Sequence, residues 1–366
     1  MKKILILLIS VICISTIIAQ EETEHGIYTL AVKNIKKDFA EVDNSILTLL
    51  DSSNFVIESH RAVASPDRVR EEKEEHCGFS GSSFVLTSTD YTKMLTSFGN
   101  KYLTGAFIRI GLYETTDGVH IVIADPETIN RILFNDLFEN DEIEKYNSVI
   151  KESKKLKQEI ITLLHEIEGG EKIEEMMPPI RCAENIAEAS KDMFMMVGSL
   201  TFFTDEDQFP VINEIKKNKT IFEYVSGLKN NIKAFEPDPD DINYRWAESK
   251  DDLKWEAISE EISPDSTAVL LGLTRPRTEA VSFNIAGASR EDETNLCPGL
   301  DHLCAYPIEV LIIEDEDVIK VYSPREMFRM DMYFWDAGMN AFMNHMSMPA
   351  ILDESIYKAL FKTAKD

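Results

Sequence analysis

Residues Ala106 to Phe134 read Ala-Phe-Ile-Arg-Ile-Gly-Leu-Tyr-Glu-Thr-Thr-Asp-Gly-Val-His-Ile-Val-Ile-Ala-Asp-Pro-Glu-Thr-Ile-Asn-Arg-Ile-Leu-Phe, and the pattern returns in altered letters at Tyr306 to Met332. In the first copy, Phe107 to Glu114 reads as an apolar strand, Thr116-Asp117-Gly118 as a turn, and Val119 to Ala124 as the returning strand. A helix opened by Pro126 follows, since proline is well tolerated at the first helical position. In the second copy, Pro307 to Glu314 is the strand, Asp315-Glu316-Asp317 the turn, Val318 to Tyr322 the return, and Pro324 opens the helix. The architecture is legible in this repeat; the activity is not.

The repeat extends outward. Pro126 and Pro324 are 198 positions apart, as are Arg131 and Arg329, and Ser65-Pro66-Asp67 and Ser263-Pro264-Asp265. Phe84 and Phe283 are 199 apart, and Ile108 and Ile308 are 200 apart. Near-constant spacing predicts two copies of one domain. Each copy is expected to begin with an amphipathic helix, Ile35 to Leu50 in the first and one through Ile221, Phe222, Val225, Leu228 and Ile232 in the second. Strands are expected at Phe55 to Val63 and Leu253 to Ile262, and then at Ser83 to Thr87, matched by Val281 to Ala286. Interleaved strands and helices around a tight hairpin predict an α+β fold: two repeats of an α/β sandwich with a mostly antiparallel sheet, joined by a helical connector. The expected limits are a signal peptide at 1–19, repeats at 25–140 and 216–362, and a connector at 141–215. The connector is read as a long helix from Asn140 or Asp141 to Gly169-Gly170 and a second after Pro178-Pro179.

The hairpin Tyr306-Pro307-Ile308-Glu309-Val310-Leu311-Ile312-Ile313-Glu314-Asp315, followed by Val318-Ile319-Lys320-Val321-Tyr322-Ser323-Pro324, resembles the core of the bacterial and archaeal domain of unknown function 302. The first copy, with Asp117-Gly118 and Asp125-Pro126, shows the same pattern. The resemblance covers roughly residues 25–140 and 216–362 and implies a tandem arrangement found in that family. It transfers no catalytic residue, because no activity is established there.

Composition sets the surroundings. With 366 residues the chain suits two domains, each able to bury a core. Lys2 and Lys3 precede an apolar run from Ile4 to Ala19, short for a membrane span and suited to a secretory signal, so a secreted or periplasmic location is expected. An uncleaved anchor is the alternative; with cleavage after Ala19, no stable membrane insertion is expected. The formal charge of −27 argues against nucleic acid and anionic membranes as partners. Four cysteines remain beyond the signal, and an oxidising compartment favours disulfides.

Among candidate sites, Cys297 and Cys304 frame a short loop around His302. They form either a local staple worth ~2–3 kcal/mol of loop entropy or part of a zinc site with no fourth ligand nearby. The staple is favoured, which leaves Cys77 and Cys182 as a second pair. Met339, Met343 and Met346 recur at i, i+4, i+7 near His345. Such thioethers would suit copper as Cu(I), or else pack a core beside Phe334 and Phe342. Arg275, Arg277, Arg290 and Arg329 stand out in so acidic a chain as candidates to hold a carboxylate or phosphate, against ordinary ion pairs with the abundant acids. No nucleophile elbow, phosphate loop, dinucleotide fingerprint or metalloprotease helix is present. Three readings follow: a binding or interaction protein for a small ligand or protein, without a cofactor; a copper-handling protein; or an enzyme of unrecognised type.

Overall fold

The computed structural model describes residues 23–63, 80–140, 142–183, 186–192, 203–237, 250–282, 299–335 and 347–361. In the first half, β1 (Thr23–His25) leads to β2 (Tyr28–Ile35), α1 (Phe39–Asp51), β3 (Val56–Ala62), β4 (Gly81–Thr87) and α2 (Thr89–Thr96). A 3-10 segment, Asn100–Gly105, precedes the hairpin β5 (Ile108–Thr115) and β6 (Gly118–Ala124), then α3 (Pro126–Leu133), α4 (Asn135–Glu139), α5 (Ile143–Leu164), β7 (Glu171–Met176) and β8 (Arg181–Ala183). Two short helices, α6 (Ile186–Ala189) and α7 (Asp205–Gln208), lead into the second half. That half runs β9 (Val211–Lys216), α8 (Ile221–Ala234), β10 (Glu256–Ile262), β11 (Ala268–Thr274), α9 (Pro276–Ser282), a 3-10 segment Leu300–Ala305, β12 (Ile308–Asp315), β13 (Val318–Tyr322) and α10 (Glu326–Tyr333), and closes on a helix at Met348–Phe361.

The fold is α+β with antiparallel sheets. The first has the order β3-β4-β5-β6-β2-β7 and the second β10-β11-β12-β13-β9. Leaving β7 aside, the two orders are the same once each strand is matched by its place in the half. The irregularities match too: β3 is bulged between Ile57 and Ser59, and β10 between Ala257 and Ser259. Since a bulge redirects every later side chain in a strand, sharing its place means sharing the register of the buried face. One continuous apolar core runs through both halves.

Local chemistry accounts for the hairpins. In β5 and β6 every residue from Ile108 to Tyr113 and from Val119 to Ala124 is buried, as expected for central strands covered on both faces. Gly118 closes the turn at φ +116°, where a Cβ would sit 2.6 Å from the Ile35 carbonyl. The α3 helix starts at Pro126 with Asp125 as its cap, whose Oδ1 accepts from Glu127 N at 2.9 Å and Thr128 N at 3.3 Å. Asp125 Oδ2 accepts from Thr29 Oγ1 at 3.1 Å and pairs with Lys157 Nζ at 2.6 Å, which pins α5 to the sheet.

Several expectations change. Ile35 ends a strand, and the helix expected from it starts at Phe39, capped by Asp38. Strand β4 corresponds to Ala268–Thr274, whereas Val281 lies in α9, so the pairing of Ser83–Thr87 with Val281–Ala286 does not hold. Unequal loops are the reason. Residues 63–80 join β3 to β4, but only residues 263–267 join β10 to β11. Val56 and Glu256 are 200 positions apart, Gly81 and Ala268 only 187, and Ile108 and Ile308 again 200. Pro324 precedes α10, which starts at Glu326. In the connector, Gly169 and Gly170, at φ +84° and +69°, turn the chain from α5 into a strand, β7, along β2. Beyond the two prolines, the described residues form β8, which pairs with β1, and the short α6.

Candidate binding pocket at the junction of the two halves

The halves exchange their 3-10 segments. Leu300–Ala305 packs on β4, β5 and β6 of the first sheet, and Asn100–Gly105 packs on β11 and β12 of the second. Each segment also holds an aromatic ring against its own half: Tyr102 meets Phe134 edge-on at 5.0 Å, and His302 meets Phe334 edge-on at 4.9 Å. These pairs occupy matching positions.

The strands that receive the segments differ. In the first sheet the cross-strand pair is Gly111 and Val122; in the second, the matching pair is Leu311 and Tyr322. A Cβ on Gly111 would overlap Leu303 and come within 2.6 Å of Cys304 Sγ, so the second segment seats deeply there. Beside Leu311 and Tyr322 a pocket of about 100 Å³ opens between the halves. Its apolar walls are Leu133, Phe134, Phe209, Leu311 and Tyr322. Its polar lining comes from Lys101, Tyr102, Thr104, Asp136 and Gln208. Asp136 Oδ2 pairs with Lys101 Nζ and accepts from Tyr102 OH at 3.0 Å. The Lys101 ammonium lies 4.9 Å from the centre of the Tyr102 ring, and its side chain is largely exposed. Burial, the largest cause, raises the Tyr322 phenol, with Lys320 opposing and Asp315 and Glu214 adding to the rise. An apolar slot with a charged rim binds a small molecule or a single side chain by its apolar end and orients it by hydrogen bonds.

A second polar cluster is closed to solvent. Arg109 and Glu309 occupy matching positions on β5 and β12 and form a buried ion pair with each other. Arg109 also donates to the carbonyls of Phe107 at 3.1 Å and Pro307 at 3.3 Å, again matching positions. Tyr333 OH donates to Glu309 Oε1 at 3.5 Å. Arg329 lies over the rings of Tyr306 and Tyr333, at 4.7 and 5.1 Å, donates to Ala305 O and stands 3.7 Å from Glu326. Burial pushes the Glu326 carboxyl up to about 7, with Arg329 opposing and Asp353 and Glu309 adding to the rise. Asp353 is likewise raised by burial to about 6, although its Oδ1 accepts from Glu326 N at 3.0 Å.

The residues singled out in the sequence distribute as follows. Arg275 and Arg329 are buried, and both act electrostatically on Glu326, an acid the sequence reading passed over. Arg275 donates to Thr278 Oγ1 at 2.7 Å and Ser355 Oγ at 3.1 Å and stacks on Trp255. Arg277 is buried as well. Arg290, Cys77, Cys297, Met339, Met343 and Met346 lie outside the described residues, as does the side chain of Cys182. Cys304 is a free, buried thiol whose Sγ lies 3.8 Å from Val122 O, and its expected staple partner, Cys297, lies outside the described residues. It faces the first sheet, and burial pushes it well above the ordinary thiol range. The described methionines 330, 332 and 348 are core residues. Sequence reasoning missed the pocket residues altogether. One signal was available, Gly111 in one hairpin against Leu311 at the matching place of the other.

No family model matches the chain, and no curated protein matches it. Among solved structures, the crystal structure of an uncharacterized conserved DUF302 protein from Bacillus stearothermophilus is a neighbour. It has a TM-score of 0.30 and 6% identity, covering 39% of this chain and 98% of that one. At that score the likeness carries no argument about this chain.

Proposed function

We propose that this protein is exported, is built from two diverged copies of the domain of unknown function 302, and binds a small amphipathic molecule or side chain in the junction pocket. The observation that carries the binding assignment is the asymmetry of the matching pairs. Gly111 leaves room for Leu303 and Cys304 to close on the first sheet, while Leu311 and Tyr322 line a pocket beside Lys101 and Asp136. Support for two copies comes from the shared strand order and shared bulges. Support for export is the basic start and apolar run of residues 2–19. The pocket, at about 100 Å³, is smaller than the roughly 150 Å³ that encloses benzene, so it takes a short branched chain or part of a ring whose remainder lies at the exposed Lys101 rim.

The test is saturation-transfer NMR on the full chain with phenol, benzylamine and benzoate as probes. Binding of at least one ring, lost in Thr104→Phe and altered in preference between benzylamine and benzoate by Lys101→Glu, is the expected result. No transfer to any of the three at millimolar concentration refutes the pocket as a site.

A further inference from the structure

The two sheets have four outer edges in all, and the fold treats them differently. Strands β3 and β10 lie beside each other where the halves meet, and Glu260 N donates across to Glu58 Oε2 at 3.4 Å. In the first sheet, β7 covers the edge of β2, and its own outer edge carries Glu171, Lys172, Glu174 and Glu175, charges of the kind that guard an edge. The matching edge of the second sheet is β9, which has no strand beyond it among the described residues. Lys217 N donates to Asp317 O on the β13 side, so by alternation the backbone groups of Lys216 and Glu214 point away from the sheet. Val211 is 47% exposed.

The covered edge shows what the open one is built to take. Strand β7 adds antiparallel to β2, with Glu171 opposite Lys33, and Lys33 Nζ lies 3.6 Å from both Glu171 and Glu175. Both β2 and β9 are bulged at one matching place, between Leu30 and Val32 and between Val211 and Asn213, where each pairs with the returning hairpin strand. That register sets Asn213 against Val32 and Ile215 against Ile35; between them β2, bulged a second time, carries Lys33 and Asn34, and β9 carries Glu214 alone. An acid thus stands on β9 where β2 offers a lysine and an amide. An acidic residue added opposite Glu214 would meet repulsion, whereas a basic residue there and an acidic one opposite Lys216 would form cross-strand pairs.

We propose that the β9 edge docks an extended segment of a partner protein, added antiparallel as a sixth strand, with a basic residue opposite Glu214 and an acidic residue opposite Lys216. Main-chain hydrogen bonds supply affinity and the two charges set register.

The test uses the full chain and two fluorescent heptapeptides, acetyl-Thr-Glu-Val-Lys-Val-Thr-Val-amide and the same peptide with Glu and Lys exchanged. Anisotropy is expected to show the first binding about tenfold more tightly than the second. Glu214→Lys with Lys216→Glu, both at exposed positions, is expected to invert that preference, and hydrogen exchange at 214 and 216 to slow on binding. Absence of binding by either peptide, equal binding of both, or a preference unmoved by the double exchange overturns the proposal.

Discussion

Arg109→Met is the substitution with the clearest expected consequence, because it leaves Glu309 charged in the core. Both side chains are almost fully buried, at 3% and 1% exposure. The remaining donor, Tyr333 OH at 3.5 Å, is long. Removing one partner of such a pair costs about 3–5 kcal/mol, and Glu309→Met belongs in the same range. Replacing both by methionine removes the charges together, so the double variant is expected near the parent or above it. The matching positions sharpen the test. In the exchange Arg109→Glu with Glu309→Arg, the guanidinium finds the same two carbonyls, Phe107 and Pro307, that Arg109 uses now. Urea denaturation of the four single variants, the double methionine variant and the exchange variant measures the cycle. A coupling below about 0.5 kcal/mol, or an exchange variant as unstable as either charge reversal alone, refutes the placement of this pair between matching strands.

Four further outcomes are expected. Glu326 and Asp353 titrate higher in the folded protein than in the unfolded chain, so the folded state holds more protons between them. The stability they contribute is complete below about pH 4 and is lost as pH rises through about 6 to 7. Glu326→Gln is expected to flatten that slope and to raise stability at pH 8 by on the order of 3 kcal/mol, read from denaturation midpoints across pH. Gly111→Ala is expected to destabilise by about 1–3 kcal/mol through overpacking against Leu303 and Cys304. Leu311→Ala, whose side chain walls the pocket, should cost about 2–5 kcal/mol and admit larger probes, seen in thermal melts and in NMR with naphthol beside phenol. Asp125→Ala removes the cap of α3 and leaves Lys157 buried without its main partner. A loss of about 3 kcal/mol or more is expected, with faster hydrogen exchange in α3 and α5.

Much of the fold was determined by local sequence. Two hairpins with their turns, a helix started by Pro126 and a long connector helix ending before Gly169-Gly170 follow from periodicity and from backbone preference, which act over a few residues. What those signals could not reach was set by distance along the chain. Strands β2 and β9 escaped notice because each gains meaning only when its hairpin lies beside it. The match of β4 with β11 was hidden because loops of different length shift the spacing, while sheet register ignores loop length.

The sites divide in the same way. Arginines and cysteines were visible as residue types, but burial decided their roles: Arg275 and Arg329 flank Glu326, and Cys304 is a thiol under a sheet. Whether matching residues such as Arg109 and Glu309 meet depends on how two halves face each other, which no local pattern encodes. By itself the sequence determined that one hairpin pattern recurs; only the tertiary structure decided where the two halves differ, because a single side chain, glycine in one strand and leucine in the other, bears on how closely a neighbouring segment can approach.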